Sequence, residues 1–164
     1  MKYFVIGRGG REHAIVSKLA ESPHITELWC APGNPGIAKE RLRNGTLVRC
    51  VKILESEIRQ LAETALYLKS DMTVVGPELP LADGIVDKFR QYGLRIWGPT
   101  QKAAKLEASK VFSEAFMRRA AIVPPFTWVT ESVAEARTIA LNTLSGRCCI
   151  KADGLCNGKG AYIC

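Results

Sequence analysis

Short apolar runs that end in glycine or proline recur along the first hundred residues: KYFVI before Gly7, ELWCA before Pro32-Gly33, MTVV before Gly76-Pro77 and LRIW before Gly98-Pro99. Unbroken runs of this length suit strands buried on both faces. A fifth, TLVRCV over 46–51, is read the same way. The segments between them carry helical spacing. Residues 11–22 place Ala14, Ile15 and Leu19 along one side; 53–70 place Leu54, Ile58, Leu61, Ala62, Ala65 and Leu68 likewise; 84–93 close on Gly93. Strands separated by helices require right-handed crossovers, so residues 1–98 predict one closed α/β domain with an open, mainly parallel sheet. Ligands of such sheets sit beyond the carboxyl ends of the strands. The Gly/Pro segments fall at those ends.

After Gly98 the texture changes. Residues 100–120 read as helix in two pieces with Ser109 as an N-cap, TWV (127–129) as a short strand, and 132–145 as a helix opened by a Ser132–Glu135 capping box. RCCIKA (147–152) reads as a strand, GLCNGKG (154–160) as a loop, and AYIC (161–164) as the start of another strand. Two strands and a helix do not close a core, so residues 99–164 are read as a linker and the incomplete start of a second domain.

Composition narrows the function classes. No apolar run reaches the roughly 20 residues of a membrane span, and MKYFVIGRGGREH is interrupted too early for a signal peptide, so a cytoplasmic address is expected. The six cysteines form no C-x-x-C pair, and there are two histidines, which leaves zinc spacing absent. The net charge of +7 is spread over both halves. Without a Lys/Arg run or an aromatic-interleaved basic stripe, it fits small phosphorylated ligands better than nucleic acid, or simply a solvated basic surface.

Three motifs carry possible chemistry. In VIGRGGREHA, Gly7, Gly9 and Gly10 lie between a strand and a helix, where free amides and the helix dipole favour an anion. Arg8 and Arg11 can add charge-assisted contacts. A dinucleotide fingerprint is argued against, because Glu12 stands where the third glycine belongs and no acidic residue follows the second strand. The same glycines also suit a bare chain reversal, and His13 is read as a surface or packing residue with nothing to orient it. In VVGPELPLADG, Glu78 lies just past a strand end, either accepting ligand hydroxyls or standing as a solvated loop carboxylate. GLCNGKG lacks both the spacing and the Ser/Thr of a Walker A loop. It is read as a flexible strand-to-strand loop with Lys151 pointing a fixed charge from the strand before it, or as a hairpin with no ligand.

Taken in order, GRGGREHA, APGNPG, VVGPELPLADGIVD, WGPTQKAAKLEASK and IKADGLCNGKG resemble the N-terminal part of the glycinamide ribonucleotide synthetase family, phosphoribosylamine–glycine ligases of the ATP-grasp superfamily. The resemblance implies a Rossmann-like open parallel sheet, the pre-ATP-grasp domain, followed by the incomplete start of an ATP-grasp domain. It implies glycine, 5-phosphoribosylamine and ATP as partners, with Mg²⁺ or Mn²⁺, and glycyl phosphate on the way to glycinamide ribonucleotide in purine biosynthesis; no nucleic acid or membrane is implied. Carried over, Gly9, Gly10 and Arg11 would hold the phosphate of phosphoribosylamine and Glu78 its ribose. Lys110 and Lys151 would face the ATP phosphates, and Gly158, Lys159 and Gly160 would belong to a lid over them. The family has small residues at the positions of Cys156 and Asn157, and a small or polar one at Arg8. Its adenine pocket and metal ligands come after residue 164, so the chain is expected to be a fragment inactive alone. The alternatives are a non-catalytic sugar-phosphate-binding module or another ATP-grasp carboxylate–amine ligase.

Overall fold

The computed structural model describes residues 1–156 and 158–164; Asn157 lies outside them. The chain forms two compact units, Met1–Ala104 and Lys105–Cys164. The first is built on strands β1 (Lys2–Gly7), β2 (Glu27–Pro32), β3 (Arg49–Cys50), β4 (Met72–Val75) and β5 (Ile96–Trp97), joined through helices α1 (Gly10–Ala20), α2 (Ile58–Leu68), α3 (Glu78–Ala82) and α4 (Ile85–Gln91). The sheet order is β3-β2-β1-β4-β5 and every pairing is parallel. The chain winds outward from β1 through β2 to β3, then continues on β1's other side with β4 and β5. The order therefore reverses between β1 and β4, where an α/β sheet opens a crevice. This is the Rossmann-like arrangement expected.

The pleat sorts the core. Phe4 and Ile6 of β1 pack on one face with Leu61, Ala62 and Ala65 of α2 and Ile85, Val86 and Phe89 of α4. Val5 turns to the other face and meets Val16 and Ala20 of α1 with Ile37. Phe4, Val5 and Ile6 are all fully buried, which is why the strand reads as a continuous apolar run. Each such side chain contributes about 1.5–3 kcal/mol over its exposed state.

Several boundaries differ from the sequence reading. Residues 46–48 do not join β3: Leu42 N–H bonds Thr46 C=O at 2.9 Å and Val48 N–H bonds Glu40 C=O at 3.0 Å, spending them on a local hairpin. The long helix starts at Ile58, because Leu54 N–H is held by the Glu57 carboxylate at 2.7 Å in a turn; Leu54 is half exposed. PELPLADG is not a loop throughout but contains α3, with Pro80 in its first turn, where the missing amide costs no bond.

Helix α5 (Gln101–Ala108) begins in the first unit; the second unit continues with α6 (Lys110–Arg119), then α7 (Val133–Thr138) with a π-turn over Ile139–Thr143, and an antiparallel pair β6 (Cys149–Lys151) and β7 (Ala161–Ile163). Ser109 caps α6, accepting from Phe112 N–H at 3.1 Å, and Ser132 caps α7 through Glu135 N–H at 3.2 Å. TWV does not form a strand; Phe126 instead stands edge-on to Trp128, with centroids 4.6 Å apart. Among the described residues from Lys105 onward no side chain is buried. The first compact unit runs to Ala104. Gln101 remains with the first unit through its amide to Asp87 (2.7 Å) and its side chain to Ala82 C=O (3.1 Å).

Candidate functional site

At the switch point of the first unit the register sets Ile6 beside Val75, so Gly7 and Gly76 leave their strands side by side. Glu12, on the first turn of α1, fills the space between them. Its side chain is so close to Gly7 and Gly76 that a Cβ at either would collide with it, and one at Gly9 would come within 2.9 Å of Oε2. Glu12 is 4% exposed. Its Oε2 accepts the Gly9 amide at 2.6 Å, while Oε1 is buried without a hydrogen-bond partner among the described residues. The residue that breaks the dinucleotide pattern is thus a buried strut holding the glycine turn. Sequence reasoning noted it as a departure and missed this role.

The first helical bond of α1 is His13 N–H to Gly9 C=O at 3.0 Å. The amides of Gly10, Arg11 and Glu12 precede it and are left over by helical bonding. A Cβ at Gly10 would meet nothing within 4 Å, so this side of the turn is open. Arg11, the next residue, makes a two-pronged bond to Glu78, Nη1 to Oε1 at 2.8 Å and Nη2 to Oε2 at 2.9 Å. The hydrogen bonds from Arg11 hold the Glu78 carboxyl below its usual range, and the same pair raises Arg11. Two residues assigned to different parts of one ligand are therefore partners of each other. Arg8 reaches aside to Glu55 at 3.3 Å.

The APGNPG loop is knitted to this turn. Gly33 N–H bonds Gly7 C=O at 3.1 Å, and Asn34 donates to Arg8 C=O at 2.9 Å while its Oδ1 accepts from Gly36 (2.8 Å) and Ile37 (2.9 Å). His13 is not without an orienting partner, as the sequence reading had it: Nε2 lies 2.8 Å from Glu40 Oε1, and the ring packs against Gly36. Asn-Pro-Gly after a strand end was the available signal for Asn34; nothing local pointed to Glu40.

The second cluster lies within the second unit. Asp153 accepts from Ser109 Oγ at 3.0 Å and from the amides of Lys110 (2.7 Å) and Val111 (3.3 Å), across the start of α6. Partial burial opposes its ionised form. The bonds from Ser109 and the Val111, Lys110 and Gly154 amides outweigh that and hold its pKa low. Lys110 Nζ donates to Gly154 C=O at 3.0 Å, so the first residue of α6 grips the base of the glycine loop. Lys151 stands exposed on β6 opposite Ala161. Gly158 has φ +75°, Lys159 N–H closes a turn on Cys156 C=O at 2.9 Å, and Gly160 accepts the Ala152 amide at 2.8 Å. A Cβ on Gly160 would come within 2.6 Å of Cys156 Cβ. The structure thus joins Lys110 to the loop that sequence reasoning paired with it. Asn157, within that loop, lies outside the described residues.

Among the described residues no three His, Cys, Asp or Glu side chains are placed to share a metal ion, and no helix is long and apolar enough to cross a membrane.

Comparison with known proteins places the chain in a family. A family model described as "Phosphoribosylglycinamide synthetase, N domain" matches residues 1–107. The chain is 46% identical over 163 residues to the phosphoribosylamine–glycine ligase of Caldanaerobacter subterraneus subsp. tengcongensis, covering 99% of this chain and 37% of that protein. It is 42% identical over 164 residues to that of Clostridium acetobutylicum, covering 100% and 38%, and 43% identical to that of Escherichia coli K12, covering 99% and 37%. The chain therefore spans a little over a third of the length of these relatives. In fold it is similar to the biotin carboxylase domain of Hydrogenobacter thermophilus 2-oxoglutarate carboxylase, solved with MgADP, ADP and bicarbonate (TM-score 0.68, 19% identity, 99% of this chain and 37% of that one). The biotin carboxylase subunit of pyruvate carboxylase gives a TM-score of 0.56 at 18% identity. The match of the family model to residues 1–107 and the identity to these relatives show that the chain belongs to the phosphoribosylglycinamide synthetase N-domain family.

Proposed function

We propose that this chain carries the sugar-phosphate site and part of the ATP-phosphate site of a phosphoribosylamine–glycine ligase. In this reading the γ-phosphoryl of ATP passes to a carboxylate oxygen of glycine and ADP leaves. The amine of 5-phosphoribosylamine then attacks the carbonyl of the glycyl phosphate, expelling phosphate and leaving glycinamide ribonucleotide. A free carboxylate has no leaving group, so its oxygen must become one first.

The observation that carries the reading is the Arg11–Glu78 fork, made by the residue that follows Gly10, where a Cβ would meet nothing within 4 Å. A phosphate at the turn takes the leftover amides and the Arg11 guanidinium, which binds such anions two-pronged. Glu78 is then released to accept a ribose hydroxyl. In the second unit Lys110 and Lys151 would place ammonium groups on ATP phosphates, where they favour the charge of the transferring group. Gly158, Lys159 and Gly160 would close over them.

Titration of the chain with ribose 5-phosphate in a calorimeter tests the first site. Saturable binding that is lost in Arg11→Ala supports it, and a flat titration removes it. For the reaction, the test is a chimera in which this chain is substituted for the matching 37% of the E. coli ligase. ADP release that needs both glycine and phosphoribosylamine is the expected result. A closed first unit also allows sugar-phosphate binding without catalysis, and the second assay separates the two.

A further inference from the structure

The three glycines of a dinucleotide fingerprint have separate duties. The first makes the tight turn, the second lets the backbone approach a pyrophosphate, and the third lets the helix pack close to the strand. This chain keeps the first two as Gly7 and Gly9 and has Glu12 at the third place. The turn itself is present, with Gly7 at φ +131° and α1 starting at Gly10. What differs is the use of the second glycine's amide. Gly9 N–H is spent on Glu12 Oε2 at 2.6 Å, a short, charge-assisted bond, so it is not offered to a ligand.

Glu12 also takes the space. Its Cδ would lie 2.7 Å from a Cβ at Gly7 and 2.7 Å from one at Gly76, which puts the carboxylate between the ends of β1 and β4. In open α/β sheets a dinucleotide crosses at that reversal of strand order. Oε1 lies on the Gly76 side, buried and without a hydrogen-bond partner among the described residues. A carboxylate offers acceptors only, so a diphosphate laid across the gap would bring its charge against lone pairs and find no donor. All of these contacts lie within the first unit. The leftover amides of Gly10 and Arg11, with open space at Gly10, remain for a single phosphate group.

We propose, resting on the sugar-phosphate reading above, that Glu12 restricts this site to a terminal phosphate monoester and shuts out diphosphate-linked nucleotides. It is a positioning residue. It acts through the Gly9 amide that it withdraws and the gap that it fills, without touching the ligand. A glycine at position 12 would return both the amide and the space, and with them the arrangement that a bridging diphosphate needs.

Ribose 5-phosphate and ADP-ribose share a ribose 5-phosphate end and differ in whether its phosphate is terminal or bridged, so calorimetric titration with each is the test. The unaltered chain is expected to bind the first saturably and the second far more weakly. In Glu12→Gly the preference should fall by about tenfold or more through a gain for ADP-ribose, the worth of one recovered amide contact to an anion. Glu12→Gln, which fills the same space and keeps an acceptor for Gly9, should hold the preference within a few fold. A general loosening of the fold would weaken both ligands together and leave their ratio alone. An unchanged ratio in a Glu12→Gly chain that still melts cooperatively would overturn the proposal; if that variant does not fold, Glu12→Ala is titrated instead and judged by the same ratio. A chain that binds neither ligand would end the sugar-phosphate reading and this proposal with it. One that binds ribose 5-phosphate without preference would end only the role given to Glu12.

Discussion

Glu12 and the three glycines around it form a lock whose parts only make sense together. The collision a methyl at Gly76 would suffer is with Glu12 itself. Gly76→Ala should therefore destabilise the first unit by about 1–3 kcal/mol, as overpacking of a full site does. In a Glu12→Ala background the same change should cost distinctly less, because residues in contact couple. Urea unfolding of the four chains in this cycle measures that; strict additivity would separate the two residues. The Arg11–Glu78 pair is solvent-facing, with side-chain exposures of 64% and 42%, so its contribution to stability is about 0–1 kcal/mol. Its sign is nonetheless set. Glu78 is held below its ordinary value, so the pair's stabilisation is present above the unfolded carboxylate pKa and is lost as pH falls through the lower folded value. Carboxyl NMR titration should show Glu78 protonating later on acidification than an ordinary glutamate, and closer to the ordinary value in Arg11→Ala.

At the level of elements, the start of α6 gathers several bonds in the second unit. Ser109 caps the helix, and Asp153 binds both Ser109 and the first amides. Asp153→Ala should leave the Lys110 and Val111 amides and the base of the glycine loop less protected. Amide exchange should rise across 110–112 and at Gly154, and Asp153→Asn, which keeps an acceptor oxygen, should recover part of it. Exchange unchanged in the alanine variant would show that Ser109 alone organises this end. A cap of this kind is worth about 0.5–2 kcal/mol. The helix break at Ser109 was legible because Ala-Ser-Lys interrupts the periodic run with a residue that prefers the cap. The partnership with Asp153, 44 positions later, was not, because nothing in a local window couples the two.

For the molecule as a whole, we propose that the first unit is an independent folding domain. A chain cut after Ala104 should melt cooperatively, whereas one cut after Gly98 loses the Gln101 bonds to Asp87 and Ala82 and should melt a few degrees lower, on the scale of one or two hydrogen bonds in a domain of this size. Equal melting would show that the anchor is idle. The 164-residue chain by itself is expected to release no ADP in a glycine-dependent way, checked with a coupled assay. Within a ligase containing this segment, Lys151→Ala should lower kcat by about 10²–10³, as loss of one oriented charge donor does; unchanged turnover would take Lys151 out of the site.

What the sequence determined by itself was the sheet and its helices, since unbroken apolar strands and 3.6-residue periodicity are local signals that survive without a partner. It also placed Gly9, Gly10 and Lys110 at element ends, because glycine turns and caps are written in consecutive residues. Only the tertiary structure decided that Arg11 meets Glu78, that Glu12 fills the gap between Gly7 and Gly76, and that His13 is held by Glu40. Those pairs are 67, 64 and 27 positions apart at their widest. Burial and ion pairing act through space, and it is the parallel winding of β1 and β4 that brings their ends together.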